Sequence, residues 1–280
     1  TDIYNELTNP VIYNLSQQAS YNIDIVAKTD AGIDLISNQI TATTTTTPAL
    51  YQNSVFYSKF NNTQDKLLDL RNVYKGTLNG GVQQGATGLI SGMTSYDFDG
   101  VDGSYIEIPN NNDLVFTDGT NDIPFSIETV FMYDIVSNSF FVGVRNQQTT
   151  DREYQVHYTG SDISFVIFDD VGGVLQAKYE NANIQANNVY HLVVTYDGSK
   201  NTNGLSIYLD GVDVVNIQQG IDATYNGIAN TQTNTIIGNR GFQKNLPFNG
   251  KMQILNIVKG HKYTAAEVSN LYNNGNYTLY

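Results

Sequence analysis

Two acids placed inside strand-like segments, Glu107 in SYIEIP (Ser104 to Pro109) and Glu128 in FSIETVFMYD (Phe125 to Asp134), raise the question of glycoside hydrolysis. That reaction needs two carboxylates about 5 to 9 Å apart across a cleft. Each of these glutamates instead alternates with apolar neighbours, which predicts a solvated outer face. The three histidines, His157, His191 and His261, are scattered, and no Ser or Thr forms a readable triad with one of them and an acid. His191 falls in mid-strand in YHLVVTYDG and is expected to be structural or at the surface. No Gly-rich phosphate loop precedes a helix, and zero Cys removes thiol nucleophiles, disulfides and Cys-ligated metals. An enzyme is therefore not expected. Recognition is the chemistry that remains. Sugar sites combine aromatic platforms with amide and carboxylate hydrogen bonding, and the loops at 147–152, 219–235 and 239–242 offer Arg152, Tyr225, Asn226, Arg240 and Phe242 as candidate ligand-binding residues. The absence of Trp leaves Tyr and Phe as the stacking surfaces.

The composition limits the partners. Lys plus Arg is 14 and Asp plus Glu is 27 in 280 residues, a net charge of −13, and no basic stripe is visible. Nucleic acid is excluded as a partner, because phosphate neutralisation needs a Lys/Arg surface. Charged residues make up only 15% of the chain, and polarity is carried by 34 Asn and 27 Thr. No stretch is long and apolar enough for a membrane helix, so no direct membrane insertion is expected. TDIYNELTNP has neither the basic nor the apolar part of a signal peptide. Without an initiator Met, the chain reads as a processed or trimmed segment of a longer one.

The elements that must position these residues are nearly all strands. ATTTTTPAL (Ala42 to Leu50) interrupts the alternation and predicts an extended linker over 45–53. Before it, Val11 to Leu15, Ser20 to Thr29 and Ile36 to Thr44 read as strands, with a turn at Asp30-Ala31-Gly32. After it come strands at Ser54 to Phe60, Ser95 to Asp99, Ser104 to Pro109, Phe125 to Asp134, Ser139 to Asn146, Glu153 to Thr159, Ile163 to Asp169, Tyr190 to Asp197, Leu205 to Gly211, Val212 to Gln218, Asn234 to Arg240 and Gly250 to Gly260. Asp210-Gly211 is a two-residue hairpin signal. One helix is predicted, Thr264 to Asn274, opened by a Thr264/Glu267 capping box and ended by Gly275. The fold class is all-β: an antiparallel sandwich or jelly roll with a short C-terminal helix.

Two resemblances sharpen this. LSQQASYNIDIVAKTDAGIDLISNQITATT resembles the last three strands of a fibronectin type III domain, with Leu15 and Tyr21 at that family's Leu and corner Tyr. Residues 1–44 are thus expected to be a partial module of that type. Residues 54–280 resemble the laminin G-like, concanavalin A-like lectin and glucanase sandwich, on YSKFNN, DLRN…GTLNG, GLISGMTSYDFDGVDGSYIEIP, PFSIETVFMY, VYHLVVTYDG, LSIYLDGVDV and PFNGKMQILNIVKGHKYTAAEVSNLYNNG in the family's order. Glucan-cleaving relatives carry an E-x-D-x-x-E strand that is absent here, again against catalysis. The resemblance implies a structural Ca²⁺, with Asp69 and Asn72 on the family motif and Asp99 and Asp102 as loop alternatives. Its Gly-x-x-Asp strand appears as Gly250 to Gln253, with Gln in place of the acid. The tandem implies a non-catalytic module of a surface assembly: foremost a virion component on the virion surface, oligomeric with neighbouring subunits and binding host glycans. The alternative is a secreted or bacterial cell-surface carbohydrate-binding module.

Overall fold

The computed structural model describes residues 20–28, 34–43, 51–60, 66–69, 74–146, 151–222, 224–241 and 243–279. The chain divides into two compact units, Thr1–Gln52 and Asn53–Leu279. In the first, β1 (Ser20–Lys28) and β2 (Asp34–Thr43) form an antiparallel hairpin from Ser20↔Thr43 to Lys28↔Asp34, with an irregularity between Asp24 and Val26. The strand expected at Val11 to Leu15, the Asp30-Ala31-Gly32 turn and the Thr/Pro run 44–50 lie outside the described residues.

The second unit is an antiparallel sandwich. Its strands are β3 (Ser54–Ser58), β4 (Lys66–Leu68), β5 (Lys75–Asn79), β6 (Gln83–Thr87), β7 (Thr94–Asp99), β8 (Tyr105–Ile108) and β9 (Phe125–Tyr133). They continue with β10 (Ser139–Arg145), β11 (Arg152–Tyr158), β12 (Ile163–Phe168), β13 (Gly173–Tyr179), β14 (Val189–Tyr196) and β15 (Leu205–Leu209). The last are β16 (Val212–Asp213), β17 (Ile217–Asp222), β18 (Thr235–Ile237) and β19 (Asn249–Lys259). Among the described residues one sheet has nine strands in the order β17-β13-β12-β11-β10-β18-β8-β5-β4. The other runs β16-β15-β14-β9-β19-β7-β6, with β3 also on β19. At the predicted hairpin, Asp210 and Gly211 take φ of 51° and 81°, and Leu209 pairs with Val212 across the two-residue turn.

Aromatic rings fill the space between the sheets. Phe116 stacks on Phe125 at 4.1 Å, and Phe248 meets Tyr133 at 4.6 Å. Phe131 lies 4.7 Å from Phe141. Each ring removes far more apolar area from water than an aliphatic side chain, so a Trp-free core still closes. The strands not foreseen, β4, β5, β6 and β13, lie mostly at or next to sheet edges and carry polar sequences such as QQGAT. Expected residues 212–218 divide into β16 and β17, which lie in different sheets. Edge strands are held by backbone ladders and show little apolar alternation.

The solvated face expected for Glu128 is in fact covered. α1 (Ala265–Tyr272) starts with the predicted capping box: Glu267 Oε2 accepts from Thr264 N at 2.7 Å, and Thr264 Oγ1 accepts from Glu267 N. Asn273 in the left-handed region, rather than Gly275, ends it. The helix and the following turn place Tyr272 and Tyr277 beside His191, each ring 5.9 Å away. Glu128 is consequently 1% exposed and His191 0%. Their contact, His191 Nε2 to Glu128 Oε1 at 3.0 Å, joins a network in which Asn256 Nδ2 donates to Glu128 Oε2 (3.0 Å) and Ser54 Oγ donates to Asn256 Oδ1 (2.7 Å).

Gln253, the amide at the family's acidic position, is also fully buried. Its Oε1 accepts from Leu89 N at 2.8 Å and from Ile90 N, and its Nε2 donates to the carbonyls of Lys59 (3.1 Å) and Thr94. A carboxylate could not make the last two contacts, because it has no donor.

Glu128→Ala leaves His191 and Asn256 without their acceptor in a dry site. It is expected to lower the unfolding free energy by about 3 kcal/mol, read as a lower urea midpoint at constant slope. Wild-type stability in that variant would mean that the face is solvated after all.

Candidate functional site

Between β17 and β18 the chain from Thr224 to Asn234 has no regular structure, so its backbone groups need partners outside a ladder. Acidic side chains from other parts of the unit supply many of them. Asp122 Oδ2 accepts from the hydroxyls of Tyr196 (2.6 Å) and Tyr225 (2.8 Å), and its Oδ1 accepts from Ile228 N (2.8 Å). Burial raises both phenols above their ordinary range, and the nearby Asp122 charge adds to this. They act as donors. Asp169 Oδ2 accepts from Asn226 N at 3.1 Å, while Oδ1 accepts from Val171 N (3.0 Å) and Gly173 N, which shapes the 169–173 turn. Glu153 Oε1 accepts from Thr231 N (2.7 Å) and Thr231 Oγ1 (2.9 Å). Glu107 Oε1 accepts from Asn234 Nδ2 at 3.0 Å. Burial lifts Glu153 to about 7 against the pull of the two Thr231 donors.

Lys200 closes the same loop from the other side. Its Nζ donates to the carbonyls of Thr120 (2.8 Å) and Asn226 (2.7 Å), and its own N–H donates to Tyr196 Oη (2.8 Å). Gly227, at φ +144°, lies beneath the ammonium. A Cβ there would stand 3.0 Å from Asp122 Oδ1 and 3.1 Å from Lys200 Nζ.

This braced loop borders two adjoining clefts. One, of about 310 Å³, lies against Thr117, Thr120, Lys200 and residues 226–230. The other, of about 220 Å³, lies against Asp151, Arg152, Asp169 and Thr231. Asp170, Ala229 and Asn230 line both, so the two form one groove walled by amides, hydroxyls and carboxylates. Such walls can donate to and accept from a polyhydroxylated ligand.

The structure brings together Arg152, Tyr225 and Asn226 of the sequence candidates, all on the borders of this loop. Tyr225 is buried, and its hydroxyl is committed to Asp122. Arg152 lies over Phe168, with Cζ 4.4 Å from the ring centre. Arg240 stands apart from the groove, donating to Gln243 (3.1 Å) and Asn245. Phe242 and Asn72 lie outside the described residues. The described calcium candidates lie on different elements. Buried Asp69 follows β4 in the nine-stranded sheet and accepts from Tyr57 N at 3.0 Å. Asp99 ends β7 in the other sheet, where its Oδ1 accepts from Val101 N (3.0 Å) in an Asx turn, and Asp102 is exposed. Among the described residues no group of three His, Cys, Asp or Glu side chains could hold a metal ion. The in-strand glutamates serve structure: Glu128 lies under α1 and Glu107 holds Asn234.

Sequence reasoning missed Asp122, Asp169, Glu153 and Lys200. FDDVGG and NDIP read as ordinary turn phrases, and no local signal says that an aspartate there reaches a loop 57 to 106 residues later.

Residues 99–269 match the laminin G-type family of the concanavalin A-like lectin/glucanase superfamily. No curated protein sequence matches the chain. Among solved structures, the chain is similar to the binding domain of Paraclostridial Mosquitocidal Protein 1, at 14% identity and a TM-score of 0.57, covering 81% of this chain and 53% of that one. It is also similar to the receptor-binding domain of botulinum neurotoxin type G, at 16% identity and a TM-score of 0.52, covering 79% and 51%. The binding domain of botulinum neurotoxin DC, solved in complex with rat synaptotagmin II, matches at 12% identity and a TM-score of 0.57, covering 80% and 52%. The chain thus spans about half the length of these structures, and the likeness is one of fold. These are domains of bacterial toxins and not virion components, which corrects the virion role expected from the sequence. On the family match over 99–269, the chain belongs to the concanavalin A-like lectin/glucanase superfamily, in its laminin G-like branch.

Proposed function

We propose that this is a non-catalytic carbohydrate-binding module of a secreted or bacterial cell-surface protein, and that it holds its ligand in the groove along residues 224–234. The observation that carries the reading is the bracing of that loop. Asp122, Asp169, Glu153 and Lys200 hold its backbone in place before any ligand arrives. A pre-organised polar wall loses little ordering entropy on binding, which favours a sugar whose hydroxyls offer only modest net hydrogen-bond energy. Names of structures with the same fold, binding and receptor-binding domains of toxins, support a role at a host or cell surface. The β1–β2 hairpin supports reading the first unit as a fibronectin type III-like fragment within a modular surface protein.

Asp170→Ala and Asn230→Ala remove exposed groove atoms. Each is expected to weaken a glycan hit by about tenfold at unchanged melting temperature, measured by calorimetry on ligands first found on a glycan array. Retained affinity in both variants would discard the groove, and silence across the array would discard the carbohydrate reading.

The bracing is pH-dependent in a defined direction. The folded chain keeps the Glu153 proton to about 7, whereas the ordinary value is 4.5. Its contribution to stability is therefore complete below 4.5 and lost as pH rises through 7. Glu153→Gln is expected to flatten that slope in urea unfolding followed from pH 4.5 to 8. An unchanged slope would assign it elsewhere. For calcium, the melting temperature is expected to be the same with and without chelator, since Gln253 already joins its surrounding loops through an amide. A fall on chelation would instead place an ion near Asp69.

A further inference from the structure

The outer face of the nine-stranded sheet carries a cluster of hydrogen-bond donors in a chain of net charge −13. The protein has four arginines, and three of them, Arg145, Arg152 and Arg240, converge here. A register shift between Val144 and Arg145 sets Arg145 opposite Arg152 and leaves Glu153 as the extra residue of a bulge, turned to Thr231. Both guanidiniums lie over one ring: Cζ of Arg152 is 4.4 Å and Cζ of Arg145 is 5.9 Å from the centre of Phe168. The chain after β18 folds back against the same strand. A Cβ on Gly241 would stand 2.4 Å from the Arg145 carbonyl, and this return delivers Arg240.

The hydrogen-bond directions on this face can be followed residue by residue. Arg145 Nη1 donates to Gln155 Oε1 at 2.7 Å, which fixes that amide with its nitrogen toward His157. Gln155 Nε2 therefore donates to His157 Nδ1 at 3.2 Å, and the proton of the neutral imidazole sits on Nε2 as a further donor. Burial, then the charges of Arg145, Lys178 and Arg240, hold His157 down at about 4, so it is neutral at pH 7. Burial first, then Arg240 and Arg152, lower Arg145 to about 10. Arg145 Nε is buried and has no hydrogen-bond partner, and Arg145 makes no ion pair among the described residues. Lys178 differs, being paired with Asp162 (3.2 Å) and Glu180 (3.4 Å). Burial and the neighbouring charges of Arg240 and Arg152 bear on Arg145, whose buried Nε lacks an acceptor, and an acceptor-only group at that atom would relieve the cost.

We propose that this face is an oxyanion-binding site, built by Arg145, Arg240 and the His157 Nε2–H with Arg152 at its edge, which takes the carboxylate or sulfate of an acidic saccharide. A planar guanidinium suits both groups, since each oxyanion can accept two parallel N–H bonds. The saccharide rests on the carbohydrate reading above, and Arg152 joins this face to the groove.

The test uses the full chain and three matched oligosaccharides, one neutral, one carrying a uronic acid and one a sulfate ester, with inorganic sulfate as the bare probe. At low salt the acidic members are expected to bind at least tenfold more tightly than the neutral one, and 0.5 M NaCl should remove most of the difference. Preference for the uronate or for the sulfate ester identifies the source of the oxyanion. Arg145→Gln and, separately, Arg240→Gln should abolish the gain while leaving neutral-sugar affinity intact. Arg145→Gln should also keep or raise the ligand-free melting temperature, because it removes like-charge repulsion. Equal affinity for all three sugars, or a gain that survives both substitutions, overturns the proposal. If no sugar binds, the carbohydrate reading fails alone: a sulfate-induced rise in melting temperature that both variants lose still establishes the oxyanion site, and its absence removes the site as well.

Discussion

Backbone amides that leave a sheet and stay buried must find acceptors, and the arrangement of this sandwich follows from how that demand is met. Water cannot reach them, and an unpaired buried N–H costs about 1–3 kcal/mol. The chain answers with carboxylates and carboxamides reaching across from other strands. Asp122, Asp169, Glu153 and Glu107 take the loop after β17, Gln253 takes Leu89 and Ile90, and Asp69 takes Tyr57. Several of the acids therefore serve structure where irregular backbone crosses the ends of strands. A charged acceptor makes a stronger hydrogen bond than a neutral one, so long connections stay ordered without disulfides.

The two outer faces of the sandwich have been used differently. On the face with β9, β14 and β19, α1 covers Glu128, His191 and Asn256, which are joined into one internal network. That face is closed, and its polar residues serve folding. Among the described residues of this unit, the face of the nine-stranded sheet has no helix over it. Its long side chains lie flat: Arg145 and Arg152 cover Phe168, which in turn packs with Val166 and Val174. This shields apolar surface with the amphipathic stems of the two arginines. The proposed recognition rests on that side because it carries these donors next to the groove walls.

Much of the fold was legible in the sequence because period-two alternation and turn chemistry are local. The central strands, the Asp210-Gly211 reversal and the Thr264/Glu267 cap appear within a few residues of where the pattern puts them. The edge strands were not legible, since QQGAT and IQQGID are held by neighbouring backbones and carry little side-chain pattern. The site was legible in part. Loop arginines, Tyr225 and Asn226 stand out as residue types, but whether Tyr225 offers its hydroxyl or spends it on Asp122 depends on a partner 103 positions away.

Taken alone, the sequence determined the all-β class, the family resemblance, the lack of thiol chemistry in a Cys-free chain, and the capped helix near the C-terminus. Each rests on composition, on contacts within one turn or hairpin, or, for the family, on the order of short phrases along the chain. The tertiary structure decided which polar residues are structural and which remain available. Alternation tells which side of a strand a residue takes, but not what lies over that side. Glu128 and Arg145 both alternate outward; a helix seals the first into a network, while a bulge and a returning loop gather the second with two other arginines. That difference is set by packing between segments far apart in the chain, which no local pattern encodes.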